Sequence, residues 1–543
     1  MSIGSIIVRD RDAAGSGAGP TGAMQAEAKK PEPRPDPALT ESILGGVPEE
    51  AGAEPACFTD LNLDQIVAAV INGRQEYNLV PFFRAPLLQA DAVRYRHEVF
   101  RDLEDGAVSG AVRRFAQRMR ELRETLAKAA KLHYRYQKER VVLDAVTSYC
   151  EAATDLSGDF SQARLQSRGL IAFRDFLARH TCSSQFLALR REAMRIKDEL
   201  SNVRYCLHIK GGHIRVRKPE NEIDYSAEVE KTFDRFNRGA VKDYLANFSD
   251  FFEMNHIEAA VLGMVAQLYP PLFEALDTFC AANATFVDPK ISAFDRQAQF
   301  YLAYLDYIAP LRRDGLDFCY PEVLSGGKDI CSTGSFDLAL AQKLHAEKAV
   351  VVGNDFHLNG AERIFVVTGP NQGGKTTFAR AFGQLHYLAS LGCPVPGKSA
   401  RLLLFDQLFT HFEKEEDVRS LHGKLEDDLL RIHQILHAAT ADSIVVMNEI
   451  FTSTTLHDAL FLGREIMERL SGLDLLAVCV TFVDELSRLN EKTVSLVSTV
   501  DPKNTVRRTF KIVRRPADGL SHAMAIASRH RLAYGDLRKR LAP

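Results

Sequence analysis

The sequence predicts a mostly α-helical first part carrying one small β-hairpin, joined to an α/β second part built on a parallel sheet covered by helices. Three observations support this. Residues 58–340 place apolar side chains at helical spacing among long charged stretches. Residues 206–218 alternate polar and apolar around Gly211-Gly212. From residue 341, short apolar runs alternate with helical segments, and one run leads into a glycine-rich loop. The expected organisation is a tail over 1–56, a helical domain over 57–340 and an α/β domain over 341–543.

Residues 1–56 are rich in Ala, Gly, Pro and Glu and include Pro31-Glu32-Pro33-Arg34-Pro35-Asp36-Pro37. Such a composition cannot bury enough apolar surface to fold, so a disordered tail is expected. Within the helical part, residues 108–152 read as one long charged helix, with Leu122, Leu126 and Ala129 at helical spacing. A second long helix is expected over 162–204, with a break near Thr181-Cys182-Ser183-Ser184. Helices of this length act as levers or struts, or pack as an ordinary bundle.

The segment 206–218 is expected to form a hairpin with a two-residue Gly-Gly turn. That register pairs Lys210 with His213, Ile209 with Ile214, His208 with Arg215 and Leu207 with Val216. One face is then apolar and the other carries Lys210, His208, His213, Arg215 and Arg217. A basic face on a helical arm suits phosphate contact. It equally suits a solvated face balanced by Glu220, Glu222 and Asp224.

In the last part, strands are expected at 349–352, 364–368, 444–447 and 475–481. The second of these precedes Gly369-Pro370-Asn371-Gln372-Gly373-Gly374-Lys375-Thr376, which fits the G-x-x-x-x-G-K-[ST] pattern of a phosphate-binding loop. Glycines let backbone N–H groups turn toward phosphates, and the following helix adds its positive N-terminal dipole. Lys375 supplies a mobile charge, and the Thr376 hydroxyl is placed to hold Mg²⁺. Such a loop needs a second polar site for the metal and the attacking water. The run Ile444-Val445-Val446-Met447 followed by Asn448-Glu449 provides one, with Glu449 as the water-orienting base. Asn448 stands where Asp is usual and brings no charge to the cation, so weak Mg²⁺ binding or slow turnover is expected.

The chain has 543 residues, enough for two or more domains, with 46% hydrophobic and 26% charged residues and a formal net charge of −3. That charge excludes a global pull toward nucleic acid, so any DNA contact must be local. Nine scattered cysteines never form a C-x-x-C pair, which argues against a zinc site or disulfide framework. With no 18-residue apolar run and no hydrophobic signal core, a cytoplasmic protein with no membrane partner is expected.

The C-terminal third resembles the ATPase domain of MutS-type DNA mismatch-repair proteins, a branch of the ABC-type ATPases. Thr368-Gly-Pro-Asn-Gln-Gly-Gly-Lys-Thr-Thr-Phe-Ala-Arg380 is similar to that family's TGPNMGGKST loop and its following arginine. Gly392 to Gly397 resembles its G-x-x-V-P-A segment, and Phe405 to Thr410 its D-x-I-F-T stretch. Asn448 to Thr455 resembles D-E-I-G-R-G-T-S, and Val480 to Leu486 resembles A-T-H-x-x-E-L. Asn354-Asp355 resembles the family's N-D segment near the adenine. Residues 63–340 resemble the core and lever helices more loosely, including Pro86-Leu87-Leu88, Arg94 and Arg96, and the hairpin sits where the family's clamp domain begins.

The resemblance implies ATP and Mg²⁺ as cofactors. Gly369 to Thr377 and Asn354 would contact nucleotide, Thr376 and Asn448 the metal, and Lys375 and Glu449 would serve catalysis. It implies a homodimer through the ATPase domains and a DNA partner; with no base-wedging element visible, double-stranded, distorted or branched DNA is expected, touched by Lys210, His213, Arg215 and Arg217 of the hairpin's basic face. The sequence departs from the family in several places. The mismatch-reading and connector domains have no counterpart, and the clamp is reduced to little more than a hairpin. The switch histidine is replaced by Phe482. The signature segment falls near 421–429, where only Ser420, His422 and Lys424 could reach a phosphate in trans. These departures keep a second reading open: an ABC-type nucleotide switch that organises a protein partner without binding DNA.

Overall fold

In the computed structural model, the described residues are 42–46, 52–220, 254–413, 423–501, 504–517, 538 and 540. All lie in one compact unit that begins at Pro37. The helical part is built from antiparallel returns. Gly106–Ala129 and Arg135–Gln162 run side by side, tied by Arg114 to Asp159 at 2.8 Å and Arg118 to Asp155 at 2.5 Å. The expected single helix over 108–152 is therefore two helices, turned at residues 130–134. A straight helix of that length would extend roughly 67 Å. Folding back instead buries Phe115, Met119 and Leu122 in one core with Leu143, Val146 and Tyr149.

The second expected helix begins later, because Gln162 still belongs to the preceding one. Its two segments are Arg168–Thr181 and Ser184–Ser201, broken where expected, with Ser183 capping the second at 3.2 Å from Phe186 N. Among the described residues, Cys57–Asp60, Leu63–Val70, Val80–Arg84 and Ala90–Glu104 precede these helices, and His256–Leu268, Pro270–Ala282 and Pro289–Arg313 follow them. Phe173 and Phe294 stack at its centre with ring centroids 3.7 Å apart. No single helix among the described residues is long and apolar enough to cross a membrane.

The expected tail needs a correction at its end. Residues 42–46 are placed, with Ile43 and Leu44 buried and the Ser42 and Ile43 carbonyls accepting from Tyr95 and Tyr301 hydroxyls. Two adjacent apolar side chains suffice to dock this short stretch despite its polar surroundings. Residues 52–56 are also placed, and the remainder of the expected tail, 1–41 and 47–51, lies outside the described residues.

The α/β part contains a six-stranded sheet ordered Leu408–Phe412, Ile444–Asn448, Leu476–Val480, Ile364–Thr368, Thr493–Asp501 and Asn504–Arg514. The first five strands are parallel and the last is antiparallel. All five residues of Ile364–Thr368 and of Ile444–Asn448 are buried, as expected for a sheet covered on both faces. Strand order switches at Ile364–Thr368, and the crevice beyond such a switch is where open α/β sheets bind ligands.

A second, four-stranded sheet joins Glu322–Leu324, Ser399–Leu403, Ile330–Ser335 and Asn354–Leu358. The expected domain border at 340 falls inside this sheet. The expected strand at 349–352 is also displaced: ladder pairing begins at Asn354, opposite Ser335. The apolar run Ala349-Val350-Val351-Val352 lines a cavity instead, with Val350 largely exposed, and its composition alone could not distinguish the two uses.

The helix Lys375–Ser390 is buried along most of its length and carries a ladder of polar links to the helical part. Arg380 Nε donates to Asp60 O at 3.0 Å, Gln384 Nε2 to Leu61 O at 2.8 Å, and Tyr387 OH to Phe83 O at 3.0 Å. Ser390 O accepts from Leu87 N at 2.8 Å, and Leu391 O from buried Arg96 at 2.7 Å. Gly392 permits the last approach: a Cβ there would stand 2.7 Å from Arg96 Cβ.

Candidate nucleotide site and hairpin

The glycine-rich loop folds where Ile364–Thr368 ends and Lys375–Ser390 begins. Its turns demand left-handed backbone at Gly369, Gln372 and Gly374, with φ of 114°, 58° and 93°. Ser498 of the neighbouring strand closes it from below, donating to Gly373 O at 2.6 Å. A Cβ on Gly373 would lie 2.2 Å from Ser498 Oγ, so this position admits only glycine without rearrangement.

Lys375 is buried, and its Nζ donates to Gly369 O at 3.1 Å, Pro370 O at 3.3 Å and the Asn371 side-chain oxygen at 3.4 Å. Burial lowers its pKa from the ordinary lysine value, Glu449 opposes that shift and Arg508 adds to it. The Phe482 ring lies over the same ammonium, 4.5 Å from Nζ to centroid. The Thr376 hydroxyl donates to Asn448 Oδ1 at 2.8 Å, which brings together the two expected metal ligands.

Glu449 follows at φ 57°, and its N–H extends the sheet ladder to Val480 O at 2.9 Å. A left-handed, non-glycine residue here is locally strained, and the turn lifts its carboxylate to the wall of the cavity. That cavity, about 500 Å³, is bounded on one side by Gln372, Gly373, Gly374, Lys375, Thr376 and Thr377. The rest of the lining is mostly apolar, formed by Phe336, Leu340, Leu344, the run Ala349 to Val352 and Phe510, with Asp337 among them. Sequence reasoning missed Phe510, whose isolated position between polar neighbours gave no signal.

Four expected nucleotide contacts, Asn354, Gly369, Pro370 and Asn371, sit away from the cavity lining. Asn354 does not line the cavity: its amide donates to Phe510 O at 3.2 Å and accepts from Ile512 N at 2.8 Å, pinning the edge strand. The loop residues Gly369, Pro370 and Asn371 hold Lys375 from beneath and are not lining groups either. Of the signature candidates, Ser420 and His422 lie outside the described residues, and Lys424 pairs with Glu413.

The hairpin Cys206–Lys210 with His213–Arg217 has the expected register at every pair. Gly211 and Gly212 take φ of 57° and 80°, the signs that a tight two-residue hairpin turn needs. Lys210, His213 and Arg215 are exposed, while Arg217 is half-buried and donates to His208 Nε2 at 2.9 Å. On the opposite face Val216 packs into a small core with Val265 and Phe273, but Ile209 remains 72% exposed.

Comparison with known proteins places these features. Residues 365–529 match the family model of MutS domain V. The chain is 28% identical over 232 residues to the DNA mismatch repair protein MutS of Shouchella clausii (strain KSM-K16), covering 39% of this chain and 27% of that protein. It is 30% identical over 156 residues to the MutS of Brevibacillus brevis, covering 28% and 18%, and 29% identical over 163 residues to that of Rickettsia bellii, covering 30% and 17%. The match thus spans little more than a quarter of these relatives' own length at most. Over the matched part, which holds the loop, the Asn448-Glu449 strand end and the parallel sheet that presents them, the chain is similar to MutS domain V and to the corresponding region of DNA mismatch repair proteins.

Proposed function

We propose that this protein is a magnesium-dependent ATPase whose nucleotide state controls a grip on double-stranded DNA. The observation that carries the ATPase half is the joining of Lys375, Thr376 and Glu449 at one cavity whose remaining lining is mostly apolar. The residues suit the ligand. Gln372 to Thr377 line the cavity, so their backbone N–H groups would serve the phosphates, and Lys375 would exchange its loop carbonyls for phosphate oxygens. The apolar wall from Val350 to Val352 and the Phe510 ring suit a purine. Thr376 Oγ1 and Asn448 Oδ1 would hold the metal, which when bound supplies positive charge to the phosphate oxygens. Glu449 would orient the attacking water and accept its proton. Asn448 adds no charge and Phe482 has no proton to give, so turnover is slow.

The DNA half is supported by the exposed basic side chains Lys210, His213 and Arg215 beside Arg217, which suit backbone phosphates. Phosphate contacts read shape rather than sequence, which favours distorted or branched DNA over a particular base pair. Leu456 and Phe461, 71% and 68% exposed on the helix after the Asn448 turn, support pairing of two ATPase regions. A specific observation favours a second reading, in which the switch organises a protein: Ile209 and Leu207 are exposed on the hairpin's other face.

The direct test is magnesium-ATP binding by calorimetry, wild type against Lys375→Ala, followed by binding of junction and linear duplex DNA. Binding that needs Lys375, with DNA affinity altered by ATP, supports the proposal. Nucleotide binding without any DNA binding moves the function to the protein-organising reading.

A further inference from the structure

The Leu476–Val480 strand runs beside the strand that feeds the loop, and Thr481 N still donates to Val367 O at 3.1 Å. The next residue, Phe482, is therefore delivered to the phosphate end of the cavity. Its ring meets Lys375 Nζ at 4.5 Å while remaining 49% exposed. An aromatic face attracts an ammonium through its quadrupole, and more strongly where water is excluded. Lys375 is buried, so on this side the ring stands in for solvent, while Gly369 O, Pro370 O and Asn371 Oδ1 hold the other.

We propose that Phe482 is a latch that holds Lys375 back from phosphate. Resting on the nucleotide-site reading above, this deepens it: Phe482 sets how readily the site fills. A triphosphate must draw the ammonium away from both the ring and the loop carbonyls, so the ring's attraction opposes binding. Because half of the ring is exposed, a surface docked on this face could pull it aside and free the lysine. Phe482 is a positioning residue in this scheme, acting through Lys375 and not on the phosphate itself.

The effect should be confined to ligands that engage Lys375. Removing the π face should tighten ATP binding by about 3- to 10-fold, the size expected for a partly desolvated cation–π contact. AMP, which lacks the phosphates that the lysine reaches, should bind unchanged.

The test is calorimetric titration of ATP, ADP and AMP, with magnesium, into wild type, Phe482→Leu, Phe482→Ala and Phe482→Tyr. Thermal melts confirm that each variant is folded. Leucine keeps apolar bulk without a π face, and tyrosine keeps the face. Tighter ATP and ADP binding by the Leu and Ala variants, with AMP unchanged and Tyr near wild type, is the expected result. If wild type binds ATP and Phe482→Leu binds it no tighter, the latch is overturned while the nucleotide site stands. If neither wild type nor Phe482→Leu binds ATP, the nucleotide reading and the latch fall together.

Discussion

The Thr376 hydroxyl donates to the Asn448 side-chain oxygen across 2.8 Å, tying the first turn of the loop helix to the end of the next strand but one. Under the proposed function these two groups would flank the cation, and the pair is neutral. An uncharged ligand pair holds a hard divalent cation less firmly than one containing a carboxylate.

Asn448→Asp should therefore lower the magnesium concentration needed for half-maximal ATP binding by about tenfold, since one added unit charge near a cation in a screened site is worth roughly 1–2 kcal/mol. Magnesium titrations at fixed ATP check this. An unchanged magnesium midpoint would remove Asn448 from the metal site.

Phe510 is 48% exposed and projects from an edge strand at φ 57°, beside the loop. Phe510→Ala should weaken ATP binding by about 5- to 10-fold through lost ring contact. It should weaken tripolyphosphate binding far less, because that ligand has no base for the ring to contact. Equal losses for both ligands would argue against a base contact.

The hairpin makes a salt-dependent prediction. Arg215→Ala with Arg217→Ala should weaken binding to every double-stranded DNA alike, and reduce the slope of log affinity against log salt by about 2. Fluorescence anisotropy across a salt series measures both. An unchanged slope would assign these side chains to a solvated face.

The hairpin is also directly legible in the sequence. Its period-2 alternation around Gly211-Gly212 fixes both the turn and the register, and every expected pair occurs. The loop, its strand and the Asn448-Glu449 strand end were equally readable, because a left-handed loop and a buried parallel strand each constrain residue type. The turn at 130–134 was not: Lys131-Leu132-His133-Tyr134 contains no glycine or proline, and the chain folds back because burial of both helix faces outweighs local helix preference. The Phe482–Lys375 contact and the polar ladder from Arg380 to Leu391 join residues remote in sequence, so no local pattern announces them.

That ladder also makes the fold acid-sensitive at the loop helix. His386 is fully buried there, with Nδ1 2.9 Å from Phe382 O. Burial lowers its pKa from 6.5 to about 4. The unfolded chain therefore takes up this proton below pH 6.5, and the folded one only near pH 4. Stability contributed by the neutral ring is complete above pH 6.5 and is lost as pH falls from 6.5 toward 4, on the order of 3 kcal/mol in all. Urea melts of wild type and His386→Leu between pH 7 and 4.5 check this. The variant should lose less stability than wild type over that range, whereas parallel curves would assign acid sensitivity to other groups.

Under the proposed function, the polar ladder would carry movement of the loop into the helical part, which coupling of ATP to DNA requires. Steady-state ATP hydrolysis tests this most directly, measured alone and with linear duplex, mismatched duplex and four-way-junction DNA. Glu449→Gln serves as the control that assigns turnover to this site. The expected result is a slow basal rate that DNA stimulates, most strongly for the branched form, and that Glu449→Gln lowers by at least about 100-fold. A rate indifferent to all three DNAs, or one that survives Glu449→Gln, would contradict a DNA-coupled ATPase at this cavity.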